Sequence, residues 1–189
     1  MSSSGSASQA LALPPFRLRT RMDGRSGFEC EHEELNRFFR ESAGQNNEAD
    51  VNRTWVLPRP EERPDLPPVL GFYTLALCEV SSDTFRQVTR SKRMPGYRAY
   101  PAVLIGRLAR HRLCRGLGIG ESLLGDAHLR AMEISRQGGG VAIIVDAKDE
   151  HAQAFYSKYG YEVLPDQQSW PRKMLIAMKV LLAAEQQAF

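Results

Sequence analysis

The spacing of apolar residues changes several times along this chain, and each change predicts an element. The runs 51–57 (VNRTWVL), 69–80 (VLGFYTLALCEV), 99–111 (AYPAVLIGRLARH) and 141–147 (VAIIVDA) are rich in β-branched and aromatic residues and predict strands. The second is almost continuously apolar, as a strand covered on both faces should be. Gly71 near its start points to a bulge or a close backbone approach. Helical spacing takes over at 31–43, where Leu35, Phe38, Phe39 and Ser42 share one side, and at 121–137, where Leu123, Leu124, Ala127, Ala131 and Ile134 do. A third helix is predicted at 149–160, with Asp149 as N-cap and Gly160 just past its end. Glu29, Glu31, Glu33 and Glu34 cluster at or just before the first turn of the 31–43 helix, where the dipole favours them, and Gly44 is placed to close it. A short strand at 16–20 (FRLRT) and two at the end, YEVLP and KMLIAMKVLL, complete the set. The order β, α, several β, then β–loop–α, β, α, β, β predicts an α/β fold: a mixed central β-sheet flanked by helices on both faces.

The breaks are as informative. Segment 58–68 (PRPEERPDLPP) holds five prolines in eleven residues. It cannot be a central strand or a helix interior, and predicts an extended, solvated hairpin connection. The first 15 residues are low in complexity and predict a flexible N-terminal tail. Residues 16–182 then form a single domain, with 183–189 as a short C-terminal tail.

Composition narrows the class. An apolar content of 42% and a charged content of 25% are ordinary for a globular protein. No apolar run approaches the roughly 20 residues that span a bilayer. The N-terminus lacks the basic n-region and apolar core of a signal peptide. These features predict no membrane-spanning helix, and cysteine usage without a disulfide framework makes a reducing cytoplasm the simplest setting. Cys30, Cys78 and Cys114 are too far apart for a disulfide framework or a zinc site, and His32, His128 and His151 show no ligand spacing, so no metal is expected. A net charge of +3 is too small to identify a nucleic-acid partner, so local charge matters more. Arg86, Arg90, Lys92, Arg93 and Arg98 crowd segment 84–98 with no acid among them. That run suits RNA phosphates and suits a solvated face equally well.

The candidate chemistry lies at 104–121 (LIGRLARHRLCRGLGIGE). A strand runs into a basic turn, a glycine-spaced loop and the start of a helix. This arrangement makes an anion site from helix N–H groups, and Gly116, Gly118 and Gly120 let the backbone approach a ligand. A Walker loop needs a Lys after the glycines, and a dinucleotide fingerprint needs a third glycine where Glu121 or Leu123 stands. Both fail. What remains is Arg115-Gly116-Leu117-Gly118-Ile119-Gly120, a basic residue with glycines at +3 and +5.

That spacing resembles the acetyl-coenzyme A loop of the GCN5-related N-acetyltransferases (GNAT). The family's second motif, A-x-x-x-Y-x-x-x-G-F/Y, is matched by Ala152, Tyr156, Gly160 and Tyr161. Over roughly 28–180 the chain further resembles the acetyltransferase toxins of bacterial type II toxin–antitoxin pairs. The segments GRLARH, RGLGIGESLLGDA, VDAKDEHAQAFYSKYGY and LGFYTLALCEV carry that resemblance, as do FECEHEELNRFF and NRTWVL. It implies acetyl-CoA as co-substrate, the α-amino group of aminoacyl-tRNA as acceptor, a block of translation, and a ribbon–helix–helix antitoxin as partner. It leaves open a homodimer. It places the pantetheine arm along the backbone of Leu108, Ala109 and Arg110, and the pyrophosphate on the N–H groups of Arg115, Gly116, Leu117, Gly118, Ile119, Gly120 and Glu121. Ala147, Ala152 and Phe155 join the coenzyme-binding set.

Tyr156 is the catalytic candidate. A coenzyme A thiol near 8.5 and a phenol near 10 (both about) are close enough for proton donation to the leaving thiolate. No acid or histidine stands out as general base; Cys78, Glu79 and His111 lie near the strands but read as structural or solvated. An α-amine, with a pKa of about 7.7–8.0, is partly neutral already, whereas a lysine amine at about 10.4 is not. The absence of a base therefore suits an α-amine. Two alternatives stay open: acetylation of a small amine or a protein N-terminus, and a non-catalytic acetyl-CoA-binding module.

Overall fold

The computed structural model describes residues 12–20 and 27–187. Seven strands form one sheet in the order β1-β2-β3-β4-β5-β7-β6. They are β1 (Arg17–Leu18), β2 (Arg53–Pro58), β3 (Val69–Ser81), β4 (Ala99–Arg110), β5 (Ala142–Ala147), β6 (Glu162–Val163) and β7 (Arg172–Ala177). Every pairing is antiparallel except β4 with β5. This is the mixed sheet expected from the sequence.

Strand side chains alternate between two apolar layers, as the period of two requires. On one face Tyr73, Leu75, Val103, Ile105, Ile143, Val145, Met174 and Ile176 pack under α4 (Ile119–Gly138), α5 (Glu150–Lys158) and the start of α6 (Met178–Gln187). The other face is split. Val56, Phe72 and Ala109 pack under a helical stretch, while Tyr100, Ala102, Ile144 and Leu175 pack around α3 (Ser82–Thr89) through Phe85. That helical stretch runs as α1 (Glu33–Arg37), a π-helical turn (Phe38–Ser42) and α2 (Ala43–Glu48).

The structure corrects several details. Gly44 does not end its helix, which runs on to Glu48. A Cβ at Gly44 would lie 2.8 Å from the Arg19 guanidinium, so this glycine makes room for a side chain. The π turn adds a residue per turn, so Ala43 rather than Ser42 joins the buried face. Segment 84–98 begins in α3, whose N-cap Ser81 accepts from Thr84 N–H. The last apolar run is a strand only to Ala177, where β7 meets Ala142, the first residue of β5. Beyond that partner it turns helical, and α6 takes up residues 183–187 of the expected C-terminal tail. Of the expected N-terminal tail, residues 1–11 lie outside the described residues, and Leu13 packs against the core. The proline-rich hairpin is solvated at Glu61, Glu62, Pro64, Asp65 and Pro68, but it is turned rather than extended. Arg59 donates to the Pro64 and Leu66 carbonyls, and Leu66 is buried. At Gly71 the close approach is real: a Cβ there would stand 2.7 Å from Leu123 Cδ1 and 2.9 Å from the Ala109 carbonyl oxygen.

Candidate active site

The site begins with a mismatch between strands. β4 pairs with β3 as far as Arg110, opposite Gly71. Its parallel pairing with β5 covers only Val103–Ile105 against Ile143–Val145. Between the two lies a bulge: Leu75 faces Ile105 and Thr74 faces Arg107, which leaves Gly106 over. Beyond it, the β5-facing edge of β4 from Gly106 to Arg110 has no strand partner among the described residues. An extended ligand with amide groups can add to such an edge as another strand does. The expected pantetheine positions, Leu108, Ala109 and Arg110, lie on it. Leu108 packs toward α4 and α5, Ala109 toward the α1 side, and the Arg110 side chain is paired with Glu31 at 2.8 Å.

The edge leads into the glycine loop. Buried His111 caps a short 3-10 turn, Arg112–Cys114, by accepting from Leu113 N–H, and its other ring nitrogen is 3.1 Å from the Gly27 carbonyl. It is structural, as expected. Gly116 and Gly118 then take φ of +80° and +72°, the left-handed region where a side chain is strained. Gly118 is the N-cap of α4 and provides no side chain to cap it. The N–H groups of Ile119, Gly120 and Glu121 find no acceptor among the described residues, while Ile119 is buried and fixes the helix start in the core. Three outward N–H groups at the positive end of a 20-residue helix suit a pyrophosphate. The expected set is narrower than the sequence implied. Arg115 N–H donates to Arg112 and Leu117 N–H to Cys114, so those two amides are turned inward, whereas the N–H groups of Gly116 and Gly118 have no acceptor among the described residues and stay in the set. The Arg115 side chain and Leu117 are exposed beside the loop. The Glu121 carboxylate faces Lys158 Nζ at 4.0 Å.

Helix α5 closes the site from the same face. Asp149 caps it, accepting from Ala152 N–H at 2.8 Å. A Cβ on Gly120 would be 3.6 Å from the Phe155 ring, so the two helices meet at the loop. Tyr156 is buried between Phe155 and Tyr161, with ring centroids 5.3 and 5.4 Å away. It shares its core with Ala147, and Leu108, Ala152 and Phe155 pack against that core. Burial, and then the charge of Asp146, pushes the Tyr156 hydroxyl well above the usual phenol range. The near match of thiol and phenol acidities is therefore lost, and Tyr156 is a group that keeps its proton.

The opposite face holds a feature that the sequence did not disclose. Between the two apolar clusters of that face lies a cleft of about 600 Å³, bounded by Leu35 and Phe38 of the first helical stretch, Gly106 and Arg107 of β4, Asp146 of β5, and Trp170. Asp146 accepts from Lys173 Nζ at 2.8 Å, and Lys148 is paired with Glu34. The Arg107 guanidinium lies 3.8 Å over the Phe38 ring. The available signal was polar residues inside apolar strands: Arg107 and Asp146 interrupt runs that otherwise read as core. Their meeting depends on the bulge at Gly106, which no periodicity shows.

The basic segment divides. Arg86 donates to the Met94 and Pro95 carbonyls and to the Tyr100 hydroxyl, so it is committed to folding the loop. Arg90, Lys92, Arg93 and Arg98 are exposed. Cys78 and Glu79 lie opposite Ala102 and Pro101, far along β3 from Gly71, and do not border the site. His128 is held against Tyr161, His32 lies 3.7 Å from Asp149, and His151 is exposed. Among the described residues there is no group of three or more His, Cys, Asp or Glu side chains that could hold a metal ion, and no helix is long and apolar enough to cross a membrane.

No family model matches the chain. It is 28% identical over 165 residues to a protein of Sinorhizobium fredii (strain NBRC 101917 / NGR234) named "Probable toxin TacT", a match covering 83% of this chain and 86% of that protein. It is 35% identical over 112 residues to the "tRNA-acetylating toxin" of Mycobacterium tuberculosis (strain ATCC 25618 / H37Rv), covering 59% of this chain and 63% of that one. Among solved structures it resembles AtaT complexed with acetyl-methionyl-tRNAfMet, with a TM-score of 0.78 and 25% identity over 90% of this chain and 98% of that one. It also resembles AtaTR bound with AcCoA, with a TM-score of 0.74 and 25% identity over 90% and 97% of the two chains.

Proposed function

We propose that this chain, an N-acetyltransferase of GNAT fold, transfers the acetyl group of acetyl-CoA to the α-amino group of aminoacyl-tRNA and so acts as a toxin that blocks translation. The observation that carries this is the open edge of β4 from Gly106 to Arg110. It runs from the uncapped N-terminus of α4 on one face to a cleft on the other, with Tyr156 packed against the same core. A donor with a diphosphate at one end and a thioester at the other fits that path. Acetyl-CoA is such a donor, and no metal takes part.

The roles follow from placement. The amides of Gly116, Gly118, Ile119, Gly120 and Glu121 hold the pyrophosphate, with the Arg115 guanidinium near it. The strand edge at Leu108, Ala109 and Arg110 receives the pantetheine amides. The neutral α-amine enters from the cleft and attacks the thioester carbonyl; the C–N bond forms, the C–S bond breaks, and the amine sheds one proton. The Tyr156 hydroxyl, which keeps its proton, donates a hydrogen bond to the departing sulfur, and the proton shed by the amine reaches that sulfur through solvent. An α-amine with a pKa of about 7.7–8.0 needs no strong base for this. Exposed Arg90, Lys92, Arg93 and Arg98 supply cations for the RNA backbone. The setting is the cytoplasm, and the partner that silences the toxin is a small ribbon–helix–helix antitoxin.

The test is expression of the chain and of Tyr156→Phe in growing cells, followed by measurement of translation and of acetylated aminoacyl-tRNA. Arrest by the parent, relieved in the variant, with acetyl groups on charged tRNA, is the expected result. Equal growth of both, with charged tRNA unacetylated, overturns the toxin reading. Acetylation of small amines or peptide N-termini in place of tRNA selects the other acceptor.

A further inference from the structure

Of the cations that line the cleft, Arg37 is exposed to solvent, while Arg107 is drawn into the wall with nothing in the described chain to explain it. Lys148 has Glu34 and Lys173 has Asp146. Arg107 has neither a carboxylate nor a hydrogen-bond partner among the described residues, yet it is only partly exposed and burial disfavours its charge. Its guanidinium carbon lies over Phe38, 3.8 Å from the ring centroid. A half-buried charge without a partner is a standing cost, offset here only by the aromatic face. Such a group is poised for an anion that arrives with a ligand.

Position selects the anion. Arg107 follows the bulged Gly106, where β4 and β5 part and the reacting centre must lie. The alternation that sends Leu108 toward α5 sends Arg107 into the cleft. In an aminoacyl-tRNA the amino acid hangs from the terminal ribose, and the phosphodiester on that ribose is the anion nearest the amine. A planar fork of donors matches two phosphate oxygens at once, which a lysine does not. Resting on the tRNA reading above, we infer that Arg107 is the subsite for the phosphodiester of the acceptor's 3′-terminal nucleotide and selects acceptors that carry a phosphate there.

The experiment compares two minimal acceptors, 3′-O-aminoacyl-adenosine with and without a 5′-phosphate, alongside aminoacyl-tRNA. The readout is the ratio of kcat/KM with and without the phosphate, for the parent, Arg107→Ala and Arg107→Gln. The parent is expected to prefer the phosphorylated acceptor at least tenfold or so, as a charge-assisted bidentate contact should provide. Both variants should bring the ratio to about one, with the loss mainly in KM. A ratio that survives either substitution overturns the inference, as does an equal loss on both acceptors, which would mark a purely structural role. Arg107→Gln keeps much of the stem over Phe38 and serves if Arg107→Ala does not fold. A parent that acetylates none of these acceptors but does acetylate simple amines overturns the tRNA reading instead.

Discussion

His128 Nε2 is hydrogen-bonded to the Tyr161 hydroxyl at 2.9 Å, and the two rings stack with centroids 5.8 Å apart. Burial pushes the imidazole down to about 4. The unfolded chain therefore binds a proton near pH 6.5 that the folded chain refuses. This contribution to stability is intact above pH 6.5 and is lost as pH falls toward 4. Denaturant titrations of the parent should show a loss on the order of 2 kcal/mol between pH 7 and pH 5 from this group. His128→Gln, which still offers a hydrogen-bonding amide, should flatten that slope. An unchanged slope in the variant would assign the acid sensitivity elsewhere.

The loop glycines should separate folding from binding. Gly118 sits at φ +72° with open space around it, so Gly118→Ala is expected to cost about 1–2 kcal/mol of stability through backbone strain alone. Gly120 has no such φ, and a methyl there would meet the Phe155 ring at an ordinary 3.6 Å. Gly120→Ala should therefore leave the melting temperature equal or slightly higher, since alanine favours a helix. On the proposed placement of the pyrophosphate against this helix start, it should still weaken acetyl-CoA. Calorimetric titration with acetyl-CoA beside thermal melts checks both; unimpaired binding by Gly120→Ala would remove this part of the loop from the coenzyme site.

Tyr156→Phe should fold, bind acetyl-CoA and lose roughly 10²- to 10⁴-fold in kcat, the usual range for a positioned proton donor. The pH dependence follows from the raised acidity constant of the hydroxyl. A phenol pushed above its usual value of about 10 keeps its proton through the whole working range, and what burial contributes is lost only above that pH. The rate should rise with deprotonation of an α-amine near pH 8 (about 7.7–8.0) and then stay level to about pH 10. A descending limb between pH 8 and 10 that vanishes in Tyr156→Phe would show a phenol of ordinary acidity instead.

Charge reversal of Arg90 and Arg93 should weaken tRNA acetylation at low salt more than at high salt, because each phosphate contact contributes to the salt dependence. Arg86→Ala should act differently. It loosens the loop held through the Met94 and Pro95 carbonyls, so its effect should appear in stability and not in the salt slope. Equal activity of Arg90→Glu/Arg93→Glu and the parent at both salt concentrations would return this segment to a solvated face.

Much of the fold could be read from the sequence where periodicity and punctuation agree. The four long strands, the Asp149 cap and the left-handed Gly160 all lie where their residue types require them. The readings that fail share one cause: local pattern yields to a distant partner. Gly44 looks like a stop signal but accommodates Arg19, and 178–182 looks like a strand but lacks a strand to pair with past Ala142. The glycine loop was legible because it is contiguous. The cleft was not, because Leu35, Arg107, Asp146 and Trp170 meet only after the sheet opens at Gly106.

The three-rung seam between β4 and β5 also links this protein to metabolism. A ligand that completes a strand edge binds the folded chain and not the unfolded one, so it adds RT ln(1 + [L]/Kd) to stability. Occupancy of the Gly106–Arg110 edge by acetyl-CoA would make resistance to unfolding, and hence lifetime against proteases, rise and fall with the supply of activated acetate. Cells poor in acetyl-CoA would then hold a frailer protein than well-fed ones, before any change in its synthesis.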